Sequence, residues 1–401
     1  GPRNFHFVIG GTTPAALGGD WLASALDQIP YAWVTSPLAV KLELISLDWL
    51  REAFELPPGW GGIMTTGATM ANFVGFGAAR QWWGEKHGID VAEAGLTGAP
   101  QVPILSSGYI HASAVKCFSM LGMGRASVHK FARNDIGQLD VDAMRKELIA
   151  LKGAPAIIVG NAGEVNAGDF DPIETLADLA EEFECWLHVD GAFGLFAQLS
   201  ETSAHLTAGI DRAHSITVDG HKWLNVPYDC GFALVRDPSR LSRVFHYVAD
   251  YLPKLDDPHP NMGIIGPESS RRARSFSVWA TLAAYGRRGL KAMVENHLAL
   301  AQHLASLVDE ASDLERLADV PLNIVCFRFN PGKLNEAELN NLNQKLGEAI
   351  IEDGRVYVGT TQYGSKTALR PAIVNWRMRA QDIEYFVDVV RDVGNRVLKI
   401  A

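Results

Sequence analysis

Short apolar runs recur through the middle of this chain, and helical stretches separate them. Residues 103–105, 156–159, 186–189, 215–218 and 231–235 read as strands, and 62–64 as an earlier one. Between them, 68–83 and 172–184 carry helical spacing, the second with Pro172 in its first turn. Runs this short and this continuously apolar are buried on both faces rather than one. Alternation of strand and helix therefore predicts an α/β fold on a mostly parallel, doubly covered sheet. Such sheets bind ligands at the carboxyl ends of their strands.

The flanks are organised differently. Residues 18–30 and 38–56 have helical periodicity, and Pro57-Pro58-Gly59 stops the second. The stretch 251–270 is rich in Pro, Gly and Asp and has no clear period, which marks a long loop that is either mobile or functional. Residues 271–309 read as long helix. The tail, 320–401, alternates again, with strand candidates at 323–329, 355–358 and 368–376, and reads as a smaller α/β domain. With 401 residues, two domains are the natural expectation. A formal net charge of -10 argues against nucleic-acid partners, because phosphate attraction needs a basic face. No apolar run reaches membrane-spanning length, so no membrane partner is expected. Cys117, Cys185, Cys230 and Cys326 lie far apart, without metal-ligand spacing. Reduced thiols, a cytoplasmic location and no metal are the expectation.

Four features fall where strands run out. "HVDGAFG" places Asp190 at a strand end, where a carboxylate can hold a proton on a heterocyclic nitrogen, cap a helix or ligate a metal; Ala192 then offers a small face to a flat ring. "TVDGHKWLN" places Lys222 just past the next strand. Taken alone it could be a snorkelling surface lysine, but a desolvated lysine attacks carbonyls to form a Schiff base. "TTGAT" joins a strand to a helix, and Gly67, Ala68 and Thr69 would turn amides toward a phosphate. His111 follows the 103–105 strand, where an imidazole could stack on a ring or serve structure only. Together these specify a flat pyridine with an aldehyde and a phosphate arm, which is pyridoxal 5′-phosphate.

Several longer segments carry a resemblance. "TPAALGGDWL", "SPLAVKLELISLDWL", "GIMTTGATMANFVGFGAAR", "HVDGAFG", "DGHKWLNVPYDCG", "SRRARSFSVWATLAAYGRRGL" and "ALRPAIVNW" occur in one order over nearly the whole chain. In these segments the chain resembles the group II pyridoxal-phosphate-dependent amino-acid decarboxylases, the aromatic-L-amino-acid decarboxylase type. The resemblance implies the aspartate-aminotransferase-like (fold type I) architecture and a homodimer with active sites at the interface. It also implies a division into 1–20, the remnant of an N-terminal segment, a large cofactor-binding domain at 21–285 and a small C-terminal domain at 286–401.

Carried over, Lys222 matches the Schiff-base lysine, Asp190 the pyridine-nitrogen partner, His111 the stacking histidine and Ala192 the small opposite face. Ala68, Thr69 and His221 match phosphate contacts. Tyr251, on the long loop, matches the tyrosine implicated in protonating the intermediate. Asn161, Glu164 and Asp169 depart from the family pattern. Asp219 stands near the expected phosphate, where a carboxylate must point aside or meet a cation. The implied reaction is α-decarboxylation of an L-amino acid to an amine and CO2. Phe5, Phe7 and Trp33 lean toward an aromatic substrate, with Trp33 as ordinary core and an acidic or imidazole substrate as the other readings. An aminotransferase, with Arg370 on the substrate carboxylate, an oxidative deaminase of the aldehyde-synthase type, and a non-catalytic interaction protein are the alternatives.

Overall fold

In the computed structural model, which describes residues 1–250, 252 and 258–400, seven strands form the larger sheet. They are β1 (Gly61–Thr65), β2 (Ile104–Ser106), β3 (Val128–Lys130), β4 (Ile157–Asn161), β5 (Trp186–Asp190), β6 (Ser215–Asp219) and β7 (Gly231–Val235). Their order is β1-β7-β6-β5-β4-β2-β3. The pairs from β3 across to β6 are parallel, and β7 runs against both its neighbours. β1 therefore points the same way as β2 to β6, and six carboxyl ends share one edge of the sheet.

Every residue of β4 to β7 is buried. The pleat sends Ile157, Val159 and Trp186 into the core under helices Ala68–Lys86 and Ala112–Met120. It sends Ile158, Leu187 and Val189 into the opposite core, under helices Val141–Ala150 and Ile173–Glu182. Burial on both faces is what the largely apolar runs require. Pro172 proves to be the N-cap of its helix rather than a first-turn residue.

A second sheet contains β8 (Leu314–Arg316), β9 (Phe327–Phe329), β10 (Thr360–Tyr363) and β11 (Lys366–Leu369), in the order β10-β11-β9-β8, with antiparallel pairing throughout. Helices Glu336–Asp353 and Ala380–Ile400 cover it over Phe327, Phe329, Leu346, Ile350 and Phe386. Three sequence readings change here. The strand expected at 355–358 is one isolated bridge, Asn4 to Tyr357. The run at 368–376 leaves the ladder at Leu369, just before Pro371, which has no N–H to donate. β10 was not anticipated, because Thr-Thr-Gln-Tyr has no apolar alternation.

Helix Ser275–Glu310 joins the two parts and is broken at Gly286 (φ 60°), a conformation glycine tolerates. Val278, Leu282, Leu290 and Val294 belong to the large core, and Leu300, Leu304 and Val308 to the small one.

Candidate active site

The ladder register places the polar strand ends side by side. Asn161 on β4 lies opposite Asp190 on β5, Asp190 lies opposite Thr217 on β6, and β6 runs on to Asp219. Beyond this edge is a cavity of about 370 Å³. Gly67, Ala68, Thr69, His111, Asn161, Asp190, Ala192, Asp219, His221 and Lys222 all line it. The sequence-predicted residues are thus brought together, with one exception: Tyr251 lies outside the described residues.

The turn after β1 leads straight into helix Ala68–Lys86. Gly67 has φ 152°, and a Cβ there would come within 3.0 Å of His221 Cε1 and 3.3 Å of Asp219 Oδ1. Only glycine lets the turn pack this closely. The Ala68 N–H, at the positive end of the helix, donates to Asp219 Oδ1 at 2.6 Å. Asp219 Oδ2 lies 3.0 Å from Lys222 Nζ, and its Oδ1 lies 3.5 Å from His221 Nε2. The carboxylate therefore faces a helix terminus and a cation together. His221 accepts the Cys230 N–H at Nδ1, and its ring stacks on Tyr228 at 4.2 Å. Burial pulls its pKa down.

Asp190 is held by two neutral donors. Ala192 N–H reaches Oδ1 at 3.1 Å and the Asn72 side-chain amide reaches Oδ2 at 2.9 Å. His111 is the N-cap of helix Ala112–Met120, accepting the Ser113 N–H at Nδ1. One edge of the ring is open to solvent, but crowding by protein lowers its pKa; Asp190 opposes that shift and Lys222 adds to it.

Three departures from the family pattern have structural partners. Asn161 donates through its main-chain N–H and its side-chain amide to Asp171 Oδ2, at 2.8 and 2.7 Å. Burial pushes the Asp171 carboxyl up to about 6. Glu164 folds back onto the N–H groups of Asn166 and Ala167, and burial raises its pKa. Asp169 accepts the Tyr109 hydroxyl at 2.6 Å. Desolvation first, and then Asp169, push the Tyr109 phenol far above its usual range.

Sequence reasoning missed Asn72, Tyr109, Asp171 and Phe193, which lines the cavity with its ring centroid 5.9 Å from Lys222 Nζ. Only Asp171, beside Pro172 at a helix start, left a local signal. Conversely, Phe5 packs in the small core, 4.5 Å from the Phe386 ring, Phe7 is exposed, and Trp33 stacks on His259. None of the three lines the cavity among the described residues. Arg370 is buried and donates to the Val165 carbonyl; it too lies off the lining. Among the described residues no cluster of three or more His, Cys, Asp or Glu side chains could hold a metal.

This arrangement, with a lysine and an aspartate at neighbouring parallel strand ends beside a helix N-terminus, defines an α/β protein of fold type I. Comparison with known proteins places it further. The pyridoxal-dependent decarboxylase conserved domain matches residues 1–330. An aromatic-L-amino-acid decarboxylase of Bacillus atrophaeus is 30% identical over 403 residues, covering 99% of this chain and 82% of the relative. An L-2,4-diaminobutyrate decarboxylase of Acinetobacter baumannii is 29% identical over 364 residues, covering 87% and 71%. The structure of Oryza sativa TDC with PLP and tryptamine shares the fold at a TM-score of 0.91, with 24% identity and coverage of 98% and 84%. The chain belongs to the pyridoxal-dependent decarboxylases, which are carboxy-lyases acting on amino acids. The cofactor of this family is pyridoxal phosphate. The residues present suit it: the Gly67 turn leaves no room for a Cβ, a lysine amine lines the cavity, and a carboxylate held by neutral donors stands on its wall.

Proposed function

We propose that this chain removes the α-carboxylate of an aromatic L-amino acid, releasing the amine and CO2, in the cavity at the ends of β4, β5 and β6. The observation that carries the reading is that Lys222, Asp190 and the start of helix Ala68–Lys86 line one cavity. Pyridoxal phosphate, when bound, supplies an aldehyde that condenses with amines and a ring that accepts the electron pair left at Cα.

The protein's own groups do the rest. Lys222, whose Nζ lies 3.0 Å from Asp219 Oδ2, would hold the aldehyde end of the cofactor through its side-chain nitrogen. Asp190 holds a proton at the ring nitrogen, and it does so without rearranging, because both oxygens are already fixed by donors. Gly67, Ala68, Thr69 and His221 form the phosphate seat and Asp219 borders it, while Asn161 is assigned a cofactor contact beside Asp190. His111 and Ala192 bound the ring's two faces. Tyr251 is assigned the return of a proton to Cα, on sequence grounds.

An aromatic side chain is the reading favoured by the Bacillus atrophaeus relative. A second reading has an observation of its own: Glu164, a buried carboxylate, lines the cavity, which would suit a cationic side chain such as that of 2,4-diaminobutyrate. Amine release with added cofactor, compared for Trp, Tyr, Phe, Glu and 2,4-diaminobutyrate, separates the two. Release from none of them sinks both.

We also propose a homodimer in the cytoplasm. Leu17, Trp21, Leu22 and Leu26 on helix Pro14–Leu26, with Leu38 and Trp49 on helix Pro37–Ala53, are exposed, a surface suited to a second copy. The four cysteines are unpaired, as suits a reducing compartment. Among the described residues no helix is long and apolar enough to cross a membrane. Sedimentation as a monomer at micromolar concentration would refute the dimer.

A further inference from the structure

Behind Asp190 runs a line of buried polar side chains that the reading above does not use. Asn72, His188 and Ser215 are fully buried, and Trp186 is 1% exposed. Trp186 Nε1 lies 3.0 Å from Ser215 Oγ, Ser215 Oγ lies 2.8 Å from His188 Nδ1, and His188 Nε2 lies 2.9 Å from Asn72 Oδ1. Asn72 Nδ2 lies 2.9 Å from Asp190 Oδ2.

The direction of every bond in this line follows from its ends. An indole N–H only donates, and a carboxylate only accepts. Asn72 must turn its NH2 toward Asp190, because the opposite orientation would set a carbonyl oxygen against the carboxylate. Its Oδ1 then faces His188, so the proton of His188 sits on Nε2. Nδ1 is left with a lone pair, and the Ser215 hydroxyl donates to it. Ser215 Oγ in turn accepts from the Trp186 indole. Each member has one way to satisfy its neighbours, and each donor points toward Asp190.

Two further observations agree. Burial lowers the His188 pKa to about 4, so the ring is neutral at physiological pH, as the line requires. The ring is also closely packed: Gly75 approaches it so nearly that a Cβ there would lie 2.8 Å from both its Nδ1 and its Cε1, and Phe76 packs on it with ring centroids 4.3 Å apart.

We propose that Asn72, His188 and Ser215 are positioning residues for Asp190, forming a one-way hydrogen-bond relay that fixes the carboxylate's orientation and leaves Oδ2 no role but acceptor. This rests on the assignment of Asp190 to the ring nitrogen of the cofactor. A carboxylate free to turn would share that nitrogen's proton less well, and the ring would take up electrons less readily. The relay acts on the chemical step and leaves substrate binding alone.

The test uses holoenzyme loaded with pyridoxal phosphate labelled with 15N in the ring, read by the nitrogen chemical shift and by steady-state kinetics. For Asn72→Ala the shift moves toward the unprotonated value, and kcat falls about 10- to 100-fold while KM stays within about threefold. Ser215→Ala, two links back, moves the shift the same way by a smaller step and lowers kcat about threefold. A purely structural role predicts a lower melting temperature with both readouts unmoved, and that result in either variant overturns the proposal. If Asn72→Ala does not retain cofactor, Ser215→Ala decides alone. Asp190→Asn is run beside them. If it leaves the shift at the wild-type value, the assignment of Asp190 fails; if it moves the shift and Asn72→Ala does not, only the relay fails.

Discussion

Asp190 and Asp219 are the same residue in nearly the same place. Each ends a fully buried strand, on neighbouring parallel strands, at the rim of one cavity. Their company differs. Asp190 meets two neutral amide donors, and its charge is left for something in the cavity. Asp219 meets a lysine ammonium and a helix terminus, and its charge is already answered. Position in a fold therefore does not assign a role to a carboxylate; the neighbours that satisfy it do.

Four experiments press on this contrast. Lys222→Ala removes the group that Asp219 answers and that we assign to the aldehyde. Turnover should fall at least about 10³-fold, with no absorbance shift on adding cofactor. Residual turnover within tenfold of wild type would falsify the assignment. Asp190→Ala should lower kcat about 10²- to 10³-fold and leave the circular dichroism spectrum unchanged. Equal losses in Asp190→Ala and Asp219→Ala would erase the distinction drawn here.

The third experiment adds a carboxylate that, like Asp190, meets neutral donors, but lies behind the cavity wall rather than on it. Asp171 is fully buried, and its folded pKa, about 6, lies above the unfolded value near ~3.9. A raised carboxyl binds its proton more readily in the folded state. Its contribution is therefore fully present below about pH 4 and is lost as pH climbs through about 6, amounting to roughly 3 kcal/mol. Urea midpoints at pH 4.5 and 7.5 should show Asp171→Asn gaining on wild type at the higher pH. A constant difference between the two proteins contradicts this. The smallest effect concerns Asp219→Asn. Removing a negative charge from beside the phosphate seat should tighten cofactor binding up to about tenfold, roughly 1.4 kcal/mol. Weaker binding, measured by absorbance titration, would make Asp219 a supporting contact instead.

The sheet was legible because burial on both faces makes β4 to β7 mostly apolar, and such runs stand out in any sequence. The polar strand Thr360–Tyr363 was not, since its ladder is closed by the Gly364-Ser365 turn and carries no apolar face. In the site, Lys222 and Asp219 are three residues apart, and the residues at strand ends could be placed by counting elements. Asn72 could not. It is 118 residues from Asp190 and reaches it only because helix Ala68–Lys86 lies across the sheet. His188 gave a fainter sign, as a polar residue inside an apolar strand that must find partners when buried. Glu164 and Asp169 looked like damage to a motif. In space they close a turn and hold a tyrosine, contacts that a linear pattern does not contain.

The helix from Ser275 to Glu310 lends side chains to both cores. A beam shared by two rooms ties their fates: loosening either one strips packing from the other. Heat should thus melt the protein in a single cooperative step, and clipping the backbone near Gly286 should release neither half as a folded fragment.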